Sequence, residues 1–168
     1  MKVFGFAGYS GSGKTTLIEN VIPLLVEQGV RVSLVKHAHH AFDVDVPGKD
    51  SYRHRKAGAS EVMLTSARRW VLMHEVGDQA EPELPQQLRR MSPCDIVLVE
   101  GFKKQRIPKL EIHRLAHGAP FLYAGDPDIL GIATDEAIDT PMPQFALEDY
   151  TGIAAFVLAN AAEFEPDA

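Results

Sequence analysis

The sequence predicts a three-layer α/β fold with a mainly parallel sheet, on three observations. Short β-branched runs alternate with segments of helical period along most of the chain. The run Cys94-Asp-Ile-Val-Leu-Val-Glu-Gly101 is continuously apolar at its centre, as a strand buried on both faces requires. A glycine-rich octapeptide, Gly8 to Thr15, joins the first strand candidate to the first helix candidate.

The elements follow in order. Lys2 to Ala7 is a short strand. The next segment, Thr16 to Val26, places Leu17, Val21, Leu24 and Leu25 on one helix face, and Gly29 closes it. Val30 to Lys36 is a second strand, and Lys36 to Lys49 a polar, His-rich loop ending in Pro47-Gly48. Asp50 or Ser51 caps a short helix that Gly58 ends. Glu61–Thr65 and Trp70–His74 form a β-hairpin insertion around the turn Ser66–Arg69. A helix is expected over 82–91, the buried strand over 94–101, and an alternating strand over Lys109–His113. Pro120–Tyr123 and Ile129–Ala133 read as further strands, and Tyr150–Ala162 as a closing helix. The acidic stretch 163–168 is expected to fray.

At 168 residues the chain is expected to form one domain over 1–168, burying about 70% of its unfolded surface. A net charge of −6 argues against nucleic acid as a partner. The apolar runs are too short for a membrane span, and no leader pattern opens the chain. Cys94, the one cysteine, reads as a small hydrophobe. A cytoplasmic location is the expectation.

The octapeptide Gly-Tyr-Ser-Gly-Ser-Gly-Lys-Thr is a full G-x-x-x-x-G-K-[ST] pattern. Triphosphates present dense negative charge and many acceptor oxygens. Gly8, Gly11 and Gly13 let the backbone turn its N–H groups inward at those oxygens. Lys14 then reaches the β- and γ-phosphates, and the Thr15 hydroxyl suits Mg²⁺. With Ser10, Ser12 and Thr16 these residues make the expected nucleotide-binding set of a P-loop NTPase fold. Glu100, ending the buried strand before Gly101, is the expected second metal ligand. Asp95 opens that strand and so lies at the wrong end. Asp45 is a further candidate for the metal or an attacking water, against a plain solvated loop carboxylate.

Other readings stay open. His37, His39 and His40 form an imidazole cluster, suited to a transition metal, to an anionic substrate, or to ordinary loop packing. Lys103, Lys104, Arg106 and Lys109 follow Glu100 as a basic run, and Arg53, Arg55 and Lys56 mark the short helix. Such patches suit a phosphate, an acidic partner face or solvent. No Asn-Lys-x-Asp is present; Asp135 is the candidate for accepting the guanine N1–H and N2–H₂ donors, against a turn or cap role.

An ordered set of motifs carries a resemblance over nearly the whole chain. After the octapeptide come Lys36-His-Ala-His-His40, Asp45-x-Pro-Gly-Lys49-Asp50-Ser51, Ala57-Gly-Ala59, Leu98-Val-Glu-Gly-Phe-Lys103 and Lys109-Leu-Glu-Ile-His-Arg114. Together they resemble the MobB family, adaptors of molybdopterin-guanine dinucleotide biosynthesis. The resemblance implies GTP as the nucleotide, a weak intrinsic GTPase and a homodimer. It also implies work beside the guanylyltransferase MobA on molybdopterin or the molybdenum cofactor. Lys36, His37, His39, Lys49, Asp50, Lys103 and Lys104 are then the expected contacts to cofactor or partner. A small-molecule kinase, with Arg53 and Arg55 as a lid, and a metallochaperone GTPase are the competing classes.

Overall fold

The computed structural model describes residues 1–38 and 42–164. They divide into two compact units: Met1–His37 with the chain from Leu84 onward, and Ala38–Glu83.

The larger unit is built on a sheet of seven strands. These are β1 (Lys2–Ala7), β2 (Val32–Lys36), β5 (Ile96–Glu100), β6 (Lys109–His113), β7 (Ile129–Thr134), β8 (Gln144–Ala146) and β9 (Ala162–Glu163). The order is β2-β5-β1-β6-β7-β8, with every neighbouring pair parallel. Only β9 is antiparallel, on the opening residues of β1, where Lys2 faces Glu163 and Val3 faces Ala162. The predicted α/β fold with a mainly parallel sheet is thus the observed one.

Side-chain alternation sorts the two faces. Phe4, Phe6, Ile96, Leu98, Leu110 and Ile112 point to one side. There they pack on α1 (Lys14–Glu27), through Leu17, Ile18, Val21 and Leu25, and on α4 (Tyr150–Asn160), through Ile153, Ala154 and Val157. Val3, Val97 and Val99 point to the other, onto Leu84 and Leu88 of α3 (Leu84–Leu88). Asp149 caps α4 by accepting the Gly152 N–H at 3.0 Å.

The second face is polar along β6. Lys109, Glu111 and His113 are all buried, Lys109 at 2% and Glu111 at 0% exposure. Lys109 Nζ pairs with Asp126 at 2.6 Å and donates to the carbonyls of Lys103 and Gln105. Its stem crosses β1 at Gly5, its register partner, where an added Cβ would lie 2.6 Å from Lys109 Cγ. Lys109 is therefore an internal tie, not part of an exposed basic surface. Glu111 accepts the N–H groups of Leu122 and Tyr123, both at 2.9 Å. Those two donors are lost to any ladder, so 120–123 is a loop that bends at Leu122 and enters a turn at Tyr123, not the expected strand. His113 stacks against Phe121, ring centres 4.1 Å apart.

Other boundaries shift for local reasons. β2 begins at Val32 because the backbone N–H and guanidinium of Arg31 are bound by Asp95. The helix expected over 82–91 contracts to α3. α4 ends at Asn160, and Glu163, expected to fray, is paired to β1. β8, unforeseen, is a three-residue edge strand on β7.

The smaller unit holds α2 (Asp50–Lys56) and a hairpin of β3 (Glu61–Thr65) and β4 (Trp70–His74). Lys49 is the N-cap of α2, so Asp50 is its first residue and not its cap. The hairpin is antiparallel, with Met63 opposite Leu72 and Thr65 opposite Trp70. Ser66 Oγ closes its turn on the Arg69 carbonyl at 3.0 Å. Met63, Trp70 and Leu72 leave one hairpin face apolar and exposed, Trp70 at 61%.

Candidate functional site

Three parallel strands deliver their carboxyl ends side by side. In register, Phe6 of β1 lies beside Glu100 of β5, which lies beside Lys36 of β2. The Gly8–Thr15 loop leaves β1 and turns into α1 at this edge, the usual ligand edge of a parallel sheet. Gly11 and Gly13 adopt φ of +79° and +98°, and Gly13 is the left-handed N-cap of α1. A side chain on Gly8 would run into the Ile112 carbonyl of β6. The loop needs glycine at these positions for backbone reasons alone.

Lys14 folds back over the loop, donating to the carbonyls of Gly8 at 3.0 Å and Tyr9 at 2.8 Å. Burial holds its pKa below the ordinary 10.5; Glu100 opposes that shift, while Lys103 and Lys36 add to it. An ammonium so placed gains from an anion. The Thr15 hydroxyl donates to Glu100 Oε1 at 3.0 Å. Glu100 is buried, and its carboxylate also meets Lys36 Nζ at 3.2 Å. The expected pair of metal ligands, Thr15 and Glu100, is thus brought into contact. A hydroxyl and a carboxylate are hard oxygen donors, which fit Mg²⁺. Ser12 Oγ is buried without a hydrogen-bond partner among the described residues.

His37 follows β2, donates its N–H to the Glu100 carbonyl at 2.9 Å and packs on Phe102. Lys103 sits over the Tyr9 ring, 4.4 Å from its centre, which ties the basic run to the glycine-rich loop. Lys104 is exposed. Asp135 directly follows β7 and accepts the Leu115 N–H at 3.0 Å, which lowers its pKa below the usual carboxylate value. One of its oxygens is thus held in a turn. His39 and His40 lie outside the described residues. Among the described residues no group of three or more His, Cys, Asp or Glu is placed to hold a metal.

Asp45, Lys49 and Asp50 belong to the smaller unit. Asp45 has both oxygens on Arg55, at 2.7 and 3.2 Å, and its side chain is 1% exposed. Arg55 also pairs with Asp43 and Glu75. Its hydrogen bond pulls the Asp45 pKa down. In this arrangement both Asp45 oxygens are held by Arg55, which clasps Asp43, Asp45 and Glu75 together.

Two residues at the site escaped sequence reasoning. The Arg114 guanidinium lies against Gly13, with Nη2 3.4 Å from where a Cβ would stand, and His117 lies against Gly11. Both follow β6, the strand beside β1, and that adjacency was the available signal.

Fold and site together define an α/β protein with a cationic, glycine-rich strand-to-helix loop and a buried carboxylate at the carboxyl edge of its sheet. The chain belongs to the MobB family, molybdopterin guanine dinucleotide synthesis protein B, whose family model matches residues 3–135. It is 41% identical over 159 residues to the molybdopterin-guanine dinucleotide biosynthesis adapter protein of Escherichia coli, covering 93% of this chain and 91% of the relative. The adapter protein of the same description from Haemophilus influenzae is 41% identical over 156 residues, covering 92% of this chain and 86% of the relative. The crystal structure of Bacillus subtilis MobB superposes with a TM-score of 0.77 at 25% identity, over 98% of this chain and all (100%) of that one.

Proposed function

We propose that this protein is a GTP-binding adapter of molybdopterin-guanine dinucleotide biosynthesis that docks beside the guanylyltransferase MobA. Membership of the MobB family supports the pathway role. The convergence of Lys14, Thr15 and Glu100 carries the nucleotide reading. In that reading Lys14 leaves the loop carbonyls for the β- and γ-phosphates, and the inward N–H groups of the loop take the remaining oxygens. Thr15 and Glu100 would hold Mg²⁺, which would supply neutralising charge to the phosphates. Ser10, Ser12 and Thr16 complete the loop, and Asp135 offers its second oxygen to guanine.

Hydrolysis is slow, because no evident water-positioning side chain follows Glu100: Gly101 and Phe102 stand there. His37, Lys103 and Lys104 leave the same sheet edge and face the molybdenum cofactor or its carrier. The His39, Lys49 and Asp50 contacts belong to the same reading. A second copy of the chain covers the exposed apolar face of the β3–β4 hairpin, giving a homodimer. No helix among the described residues is long and apolar enough to cross a membrane, and the reading places the protein in the cytoplasm with its nucleotide.

The test is titration calorimetry with GTP and ATP, with and without MobA. GTP is expected to bind more tightly than ATP, and Lys14→Ala to lose at least tenfold, since a charge-assisted contact contributes about 1.5–3 kcal/mol. Equal affinities remove the guanine reading, and an unaffected Lys14→Ala removes the site.

A further inference from the structure

The sequence resemblance places Lys36 among the partner contacts, yet its ammonium turns toward the glycine-rich loop. Nζ lies 3.2 Å from Glu100 Oε1 and 3.3 Å from Thr15 Oγ1. Those two oxygens are themselves 3.0 Å apart. The three atoms close a triangle, and its cationic corner rests on the oxygens that would ligate a divalent ion. We infer that Lys36 is a tethered counter-ion holding the metal's place between Thr15 and Glu100, and that the metal enters only by displacing it. The inference rests on the metal reading of those two residues.

Three physical points support it. First, Glu100 is buried, and a buried carboxylate without a counter-charge is costly. Lys36 supplies that charge when no metal is there. Second, an ammonium and a divalent cation cannot share one carboxylate oxygen at such range, because like charges so close repel strongly. Third, Lys36 is free to leave. It ends β2, an edge strand, and its side chain is 53% exposed, so its four-carbon stem swings out without repacking the core. Glu100 thereby stays neutralised in both states while one cation replaces the other. The β2–β5 register, Lys36 beside Glu100, keeps the stem within reach of that corner.

Mn²⁺ titration of the nucleotide-free full chain, followed by the electron paramagnetic resonance signal of free Mn²⁺, tests this directly. Lys36→Met is expected to bind Mn²⁺ about fivefold more tightly than wild type, the factor of a strong ion pair at the edge of solvent. Lys36→Gln gives the same direction, should the methionine variant fold poorly. Glu100→Gln is expected to weaken Mn²⁺ binding. In chelator-treated buffer Lys36→Met should melt below wild type, and saturating Mn²⁺ should close the gap. If both Lys36 variants bind Mn²⁺ no more tightly than wild type while Glu100→Gln weakens it, the counter-ion role is wrong and the metal reading stands. If Glu100→Gln leaves Mn²⁺ binding unchanged, the metal reading itself is overturned.

Discussion

Replacing Lys109 with methionine should destabilise the larger unit without touching the glycine-rich loop directly. Methionine keeps a long apolar stem, so the crossing over Gly5 survives and only the ammonium is removed. That ammonium pairs with Asp126 at 2.6 Å and donates to the Lys103 and Gln105 carbonyls at 3.3 and 2.7 Å. Breaking a buried pair by deleting one member costs about 3–5 kcal/mol. Asp126 keeps 21% exposure, so water relieves part of its orphaned charge and about 2–3 kcal/mol is the expected loss. For a chain of this size that corresponds to a drop of about 5–10 °C in melting temperature. Thermal unfolding followed by circular dichroism reads it. Adding Asp126→Asn removes the orphaned carboxylate and should recover part of the loss. A single variant melting within about 1 °C of wild type refutes the claim that this lysine is an internal tie.

Glu111→Gln weakens two backbone anchors at 2.9 Å and should cost about 2–3 kcal/mol in urea unfolding, with faster hydrogen exchange at Leu122 and Tyr123; unchanged exchange would contradict the clamp. Lys104→Glu should weaken MobA docking in a salt-sensitive way and spare GTP affinity, whereas Lys103→Glu should reduce both, because Lys103 lies over Tyr9 of the loop. Titrating both ligands against each variant separates them. Triphosphate affinity should also fall with pH in the alkaline range. Burial lowers the Lys14 pKa in the free protein, bound phosphate favours the ammonium, and so affinity is full below the lowered value and declines as pH rises through it, before 10.5 is reached. Calorimetry at several alkaline pH values checks this, and a Lys14→Ala control should decline less steeply than wild type.

The pattern in the chain carried most of the frame. The hairpin ends at Thr65 and Trp70 were legible because alternation and a Ser66–Arg69 turn agree. The 120–123 misreading has a distant cause: Glu111 takes the Leu122 and Tyr123 donors from up to twelve residues away, which no local window registers. β6 alternates as a half-buried strand should, yet both of its faces are covered, because loops satisfy its polar side. At the site, Lys14, Thr15 and Glu100 follow from motif and strand order. The inward Lys36, and Arg114 against Gly13, depend on which strands become neighbours, and that is a property of the folded sheet.

The crossing of Lys109 over Gly5 also orders the substitutions open to a descendant of this chain. Alanine at position 5 meets Lys109 Cγ at 2.6 Å, and every side chain with a γ atom following the lysine path inherits that collision. A lineage that first acquires alanine at position 109 removes that collision but gives up the Asp126 pair, and Ile107 Cδ1, 3.1 Å from the new Cβ, must still shift for alanine at position 5. The opposite sequence passes through a strained intermediate in the strand that feeds the glycine-rich loop. Drift at these two positions is therefore coupled: one order meets the lysine stem, the other leaves Asp126 unpaired.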